Sequence, residues 1–327
     1  MGLGHIFRTR ELARKLSSAN EKCIFLIRDD SKSKELLDDF ECIVIKKDSS
    51  IEQELECIRK HVIDFDIKVI ISDILHYSCS YLKNICKLKS KVVTFHEFQT
   101  EDGFSDLVIN YNSFKNYFEN KTYQNESCLG PKYCIFSNSL VEKEKIKVKK
   151  DIKKIFVSFG GSDPADFTNE FIKFINEYSH SFKSIENFII HIGPSYIYRD
   201  KISKLIDKSD LKITLLENVI DIHELMVSCD LAFSSGGNTM YELCYLGIPT
   251  FVIPQNDHQG EFATELANKG IVTLIDSLSH NQQKKIKLIT QVMNNKKLRT
   301  KKNFLSSSLF DAGGLSRISE KVIDLLH

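Results

Sequence analysis

Ala232-Phe-Ser-Ser-Gly-Gly-Asn-Thr-Met-Tyr-Glu-Leu-Cys-Tyr-Leu-Gly-Ile-Pro-Thr-Phe-Val-Ile-Pro254 reads without a gap as strand, glycine turn, helix, glycine stop and second strand. The apolar run ends before Gly236 and Gly237, which let backbone amides turn toward an anion. Asn238 and Thr239 are the candidate caps of the helix that follows. Gly247 stops that helix, and Pro249 opens a strand over 250–253. Such a helix N-terminus carries partial positive charge and N–H groups outside the helical ladder, a combination that suits a phosphate. Glu242 lies about one turn in, where a carboxylate reaches a ribose diol beside that phosphate. Taken alone, a glycine turn before a helix is ordinary α/β punctuation, and a Glu in the first turn complements the helix dipole without any ligand.

Working outward, the same rhythm recurs. In the second half, 154–159 reads as a strand, followed by Gly160-Gly-Ser-Asp-Pro164 and a helix over 165–178. Asp163 as cap with Pro164 at the first helical position is a strong helix start that needs no ligand. Further strands fall at 187–192, 212–215, 231–234, 250–253 and 272–274, and helices cover 281–294, 297–307 and 315–326. In the first half, Met1-Gly-Leu-Gly-His-Ile-Phe-Arg8 runs straight into an amphipathic helix with Ile6, Leu12, Ala13 and Leu16 on one face. A glycine loop of this kind normally follows a strand, so the N-terminal domain reads as beginning one element late, its first strand lost or lying upstream of Met1. Strands at 23–27, 42–45, 69–72, 92–95 and 107–109 alternate with helices at 51–62 and 81–87, which indicates a parallel sheet covered on both faces. Residues 111–132 read as a polar loop, and the Lys-rich stretch 143–154 as a solvated linker face.

The bulk numbers set limits. A chain of 327 residues suits two domains, here 1–145 and 146–327, with the last helix packing back on the first. Lys+Arg 45 against Asp+Glu 44 leaves a net charge of +1, which offers no electrostatic footprint for nucleic acid. Nine cysteines, an odd number, fit small buried hydrophobes in a reducing compartment rather than a disulfide or zinc framework. Neither a secretory leader nor an apolar run of membrane-spanning length is evident, so the expectation is a soluble, cytoplasmic protein with no membrane segment.

Seven motifs then carry a resemblance. Gly2-Leu-Gly-His-Ile-Phe-Arg8, Leu129-Gly-Pro-Lys-Tyr133, Val157-Ser-Phe-Gly-Gly-Ser-Asp-Pro164, Ser235-Gly-Gly-Asn-Thr-Met-Tyr-Glu-Leu243, Gly247-Ile-Pro249, Asn256-Asp-His-Gln-Gly260 and Asp311-Ala-Gly-Gly-Leu-Ser-Arg-Ile318 occur in order along nearly the whole chain. Together they resemble the UDP-2,4-diacetamido-2,4,6-trideoxy-β-L-altropyranose hydrolases of pseudaminic acid biosynthesis, including relatives named as spore coat polysaccharide proteins. That family is related to the peptidoglycan GlcNAc transferase and shares its GT-B fold.

The resemblance implies an α/β, GT-B-like protein in which two Rossmann-like, doubly wound domains face each other across a cleft that holds a UDP-sugar. It implies hydrolysis to UDP and free sugar without metal or cofactor. Other enzymes of a nonulosonic acid pathway are its implied company. By position His5 is the base that activates water, with Gly4 beside it, and a neutral imidazole at a helix N-terminus suits that task. Gly160, Gly161 and Ser162 in one turn and Ser235, Gly236, Gly237, Asn238 and Thr239 in the other are the implied diphosphate site, and Glu242 the ribose ligand. Ile220, in Asn218-Val-Ile-Asp221, matches the stretch that meets uracil. Asn256, His258 and Gln259 match a segment that contacts the sugar, and Arg8 approaches a phosphate. His96, Glu97 and Asp102 stand where the family carries paired aspartates, and Asp73 reads as a structural cap. Two alternatives stay open: a glycosyltransferase on the same fold, and a catalytically inactive UDP-sugar-binding relative.

Overall fold

Several strands here are apolar at consecutive positions, as in Ile155-Phe-Val157 and Leu231-Ala-Phe233, and such a strand needs cover on both faces. The computed structural model describes residues 4–74, 77–96, 103–112, 126–219 and 221–326. It divides the chain into two units, Met1–Ser137 with Ala312–His327, and Asn138–Asp311. Among the described residues no helix is long and apolar enough to cross a membrane.

The first unit runs α1 (Gly4–Ser18), β1 (Ile24–Arg28), α2 (Ser31–Leu36), β2 (Glu41–Ile45), α3 (Ile51–Asp64), β3 (Val69–Ser72), α4 (Cys79–Ile85), β4 (Lys91–Phe95), β5 (Leu107–Asn110) and β6 (Glu126–Leu129). The second contains α5 (Asn138–Val141), β7 (Lys154–Ser158), α6 (Phe167–Glu177), β8 (Asn187–His191), α7 (Arg199–Ile206), β9 (Ile213–Leu216), α8 (Ile222–Val227), β10 (Leu231–Ser234), α9 (Asn238–Tyr245), β11 (Thr250–Val252), α10 (Asp257–Asn268), β12 (Thr273–Leu274), α11 (Gln282–Asn294) and α12 (Lys296–Leu309). The chain then returns to the first unit with α13 (Gly314–Asp324).

Among the described residues every strand pairing is parallel. The second unit has one six-stranded sheet in the order β12-β11-β10-β7-β8-β9, so the winding direction reverses between β7 and β10. Its core is aromatic: Phe171 lies 4.8 Å, ring to ring, from Phe233, which stacks on Phe251 at 4.7 Å. Full burial of such a side chain contributes about 1.5–3 kcal/mol, and all three are at most 1% exposed. Among the described residues the first unit carries two sheets, β1-β2 and β3-β4-β5-β6, where the alternation of elements suggested one.

Other differences have local causes. β6 lies inside the stretch read as loop: Glu126-Ser-Cys-Leu129 pairs along β5, and Lys321 of α13 forms an ion pair with Glu126. The helix expected from 165 starts at Phe167, because Asp163 and Asp166 both take left-handed backbone (φ 40° and 57°) and insert an extra bend. Gly237, rather than Asn238 or Thr239, occupies the cap position of α9. The Lys-rich stretch is largely exposed, as expected, and is also tied to its unit at several points. Lys143 pairs with Asp221 and Glu224, Lys149 pairs with Asp230, and the Arg299 guanidinium donates to the carbonyls of Lys149 and Lys150. None of the nine cysteines forms a disulfide, but only Cys128, Cys134, Cys229 and Cys244 are buried.

Candidate functional site

In an open parallel sheet, ligands bind beyond the carboxyl ends of the strands at the point where strand order reverses. In the second unit that point lies between β7 and β10, and the two predicted glycine turns leave from those two strands. Gly160, at φ +91°, makes the first turn possible, and a methyl group there would lie 3.8 Å from the Ser235 hydroxyl of the second. Gly161 and Ser162 are exposed, and a methyl group on Gly161 would meet nothing within 4 Å.

The turn is braced from below. The buried Asp163 carboxylate accepts from the Phe167 amide at 3.0 Å and from the amide and hydroxyl of Thr168 at 2.8 and 2.7 Å. Those amides at the start of α6 are therefore spent on Asp163. Burial raises the Asp163 carboxyl above its ordinary value, and its hydrogen bonds with Thr168 and Phe167 offset only part of that.

The second turn is held by Gln259, whose Oε1 accepts from the Gly236 amide at 3.1 Å and from the Gln255 amide at 3.0 Å. A methyl group on Gly236 would lie 2.8 Å from Gln259 Cβ, so this glycine is required by close packing. The amide of Gly236 is thus committed to a protein partner. Asn238 is exposed and Thr239 partly so, at the open N-terminal end of α9. Asn256 caps α10 by accepting from the Gln259 amide at 2.9 Å, which ties down the side-chain oxygen expected to face a sugar; His258 lies in the first turn of α10. Gln255, absent from the sequence-based set, donates to the Phe159 carbonyl at 2.6 Å and lies 3.3 Å from Asp163 Oδ1.

Glu242, with 28% of its side chain exposed, lies 3.6 Å from His223 Nε2. That distance permits an ion pair with a protonated imidazole but is too long for a hydrogen bond. His191, at the end of β8, lies 3.3 Å from the Ser158 hydroxyl through Nδ1. Burial pushes its imidazole below the ordinary value, and the Glu242 charge works against that. Ile220, Glu97 and Asp102 lie outside the described residues.

In the first unit, Gly4 and His5 open α1, and His5 Nδ1 lies 2.6 Å from Oδ1 of Asp73, the residue directly after β3. Arg8 donates through Nε to Asp73 Oδ2 at 2.5 Å and through its terminal nitrogens to Asp73 Oδ1 and the Tyr111 hydroxyl. Its guanidinium lies 5.2 Å from the centre of the Phe95 ring and 5.5 Å from that of Tyr111. Arg8 is only 5% exposed, so it is packed into this unit as the counter-charge of Asp73, not solvated. Burial works to raise the Asp73 carboxyl, but hydrogen bonds and charge from Arg8 and His5 outweigh it and hold the group below its ordinary value. His5 Nδ1 also lies 2.9 Å from a terminal nitrogen of Arg8, so it sits between a carboxylate that accepts from a protonated Nδ1 and a guanidinium that donates to an unprotonated one.

Asp73, Phe95 and Tyr111 all lie at carboxyl ends of strands, and that position is the signal that would have marked Asp73. His96 is 4% exposed, 3.2 Å from the Thr94 hydroxyl, with its ring 4.8 Å from that of Tyr77. Among the described residues, no group of three or more His, Cys, Asp or Glu is arranged to hold a metal ion.

These features define an α/β protein of the GT-B-like class with parallel sheets. Residues 155–312 match the glycosyltransferase family 28 C-terminal domain. The chain is 32% identical over 277 residues to an uncharacterised protein of Methanocaldococcus jannaschii; the match covers 80% of this chain and about half, 54%, of that protein. It is 26% identical over 276 residues to the spore coat polysaccharide biosynthesis protein SpsG of Bacillus subtilis, covering 82% of this chain and 78% of SpsG. Among solved structures, MurG of Acinetobacter baumannii superposes with a TM-score of 0.73 at 15% identity, over 98% of this chain and 96% of MurG, a likeness of fold.

Proposed function

We propose that the protein hydrolyses a UDP-linked diacetamido-trideoxy sugar to UDP and free sugar, in the synthesis of a surface polysaccharide or nonulosonic acid. The second unit binds UDP: the Gly160-Gly161-Ser162 turn and the start of α9 take the diphosphate, and Glu242 accepts from the ribose hydroxyls. His5 of the first unit is the base. Its Nε2 takes a proton from water as the water oxygen bonds to the anomeric carbon; the bond from that carbon to the diphosphate oxygen breaks, and UDP leaves with the electron pair. Backbone amides at the two turns offset the charge that develops on the leaving group.

The observation that supports this reading best is the 2.6 Å contact between His5 Nδ1 and Asp73, a carboxylate that orients the imidazole as a base requires. The match to the glycosyltransferase family 28 C-terminal domain favours a second reading, in which the same base takes its proton from an acceptor hydroxyl. Incubation with UDP-2,4-diacetamido-2,4,6-trideoxy-β-L-altropyranose and no acceptor, followed by ³¹P and ¹H NMR, separates the two. Release of UDP and free sugar, lost in His5→Asn, supports hydrolysis. Binding without release until an acceptor is added supports transfer.

A further inference from the structure

Gln255 touches both glycine turns at once. Its side-chain amide donates to Phe159 O at 2.6 Å and lies 3.3 Å from Asp163 Oδ1, the two residues that bracket Gly160, Gly161 and Ser162. Its backbone amide donates to Gln259 Oε1 at 3.0 Å, and that same oxygen accepts from the Gly236 amide at 3.1 Å. A continuous chain of hydrogen bonds therefore runs from the turn after β7, through Gln255 and Gln259, to the turn after β10. With Oε1 committed to two backbone amides, Gln259 keeps only its NH₂ group for a ligand, and that nitrogen would lie 3.8 Å from a methyl group on Gly237.

We propose that Gln255 is a positioning residue that sets the separation of the two turns, so that one diphosphate engages both. This rests on the reading that the turns hold the diphosphate of UDP. A ligand with two phosphates gains from a fixed separation, whereas one with a single phosphate depends on it much less. Removing the link therefore weakens UDP more than UMP, whereas general damage to the unit weakens the two alike.

The test is calorimetric titration of the full chain with UDP and with UMP, for the wild type, Gln255→Leu and Gln255→Lys, with thermal melts alongside. Lysine restores a donor at this position, and because its charge also attracts any phosphate, recovery is read from the ratio of UDP to UMP affinity. The expected result is a loss of about 10-fold in UDP affinity for Gln255→Leu with less than about a 2-fold change for UMP, and recovery of that ratio in Gln255→Lys. Equal losses for UDP and UMP, or unchanged UDP affinity in a folded Gln255→Leu protein, overturn the proposal. A wild type that does not bind UDP more tightly than UMP overturns the underlying diphosphate reading instead.

Discussion

Gly161→Ala separates the needs of the fold from those of the ligand, because they predict opposite signs. A methyl group at this position meets no atom within 4 Å, and Gly161 lies outside the left-handed backbone region that demands glycine. For the fold, alanine then only restricts the unfolded chain, which stabilises by about 0.4–1 kcal/mol and raises the midpoint of unfolding by about 1–4 °C for a unit of this size. For the ligand, the methyl group fills space that a phosphate oxygen needs against the backbone. An overpacking cost of about 1–3 kcal/mol corresponds to a loss of about 5- to 150-fold in UDP affinity. Gly193→Ala is the contrast: its methyl group would lie 2.3 Å from the Gly161 α-carbon, so backbone must move and the midpoint falls. Scanning calorimetry with and without UDP reads both effects. A Gly161→Ala protein that melts higher and still binds UDP as the wild type does would refute the assignment of this turn to the diphosphate.

Loss of the base in His5→Ala lowers turnover by about 10²–10⁴-fold with little change in UDP affinity, since UDP is assigned to the other unit; steady-state kinetics beside titration checks this. Asp73→Asn leaves the buried Arg8 without its counter-charge, a loss of about 3–5 kcal/mol visible in denaturant unfolding. Because folding lowers the Asp73 carboxyl, its contribution is complete above the ordinary aspartate range and is lost as pH falls through the lower folded value. The acid limb of the stability curve is therefore shallower in Asp73→Asn than in the wild type. Lys302 behaves in the opposite sense. Burial lowers it from 10.5 to about 8, so the cost of holding it charged is fully present below about pH 8 and fades between there and 10.5. That lowering corresponds to at most about 3.5 kcal/mol, and the wild type gains on Lys302→Met over that window in pH-dependent melts. Glu242→Gln weakens UDP by about 10-fold or more through loss of charged hydrogen bonds but affects 2′-deoxy-UDP much less, and comparative titration with the two nucleotides decides it.

The features legible in the sequence are those whose physics is local. Gly160 and Gly247 adopt positive φ within turns that their neighbours already announce, and Asp163 is recognisable as a helix start because the amides that donate to it lie four and five residues away. What the residues alone concealed depends on partners far along the chain. Asp73 looks like a cap until α1 brings His5 and Arg8, 68 and 65 positions earlier, against it. Gln255 has no local pattern at all, since its side chain serves a carbonyl 96 positions away. β6 was hidden for a related reason: Glu126-Ser-Cys-Leu129 is only half apolar and becomes a strand by pairing with β5 at the end of a sheet. Yet Asp73, Tyr111, His191, Ser235 and Gln255 share one property visible before any pairing is known: each ends a predicted parallel strand or follows within a few residues of its end. Parallel strands in one sheet all deliver their carboxyl ends to the same edge, so side chains scattered through the sequence converge there. A polar residue in that position is therefore a stronger functional candidate than the same residue elsewhere on a helix or loop, even when a local cap explains it equally well.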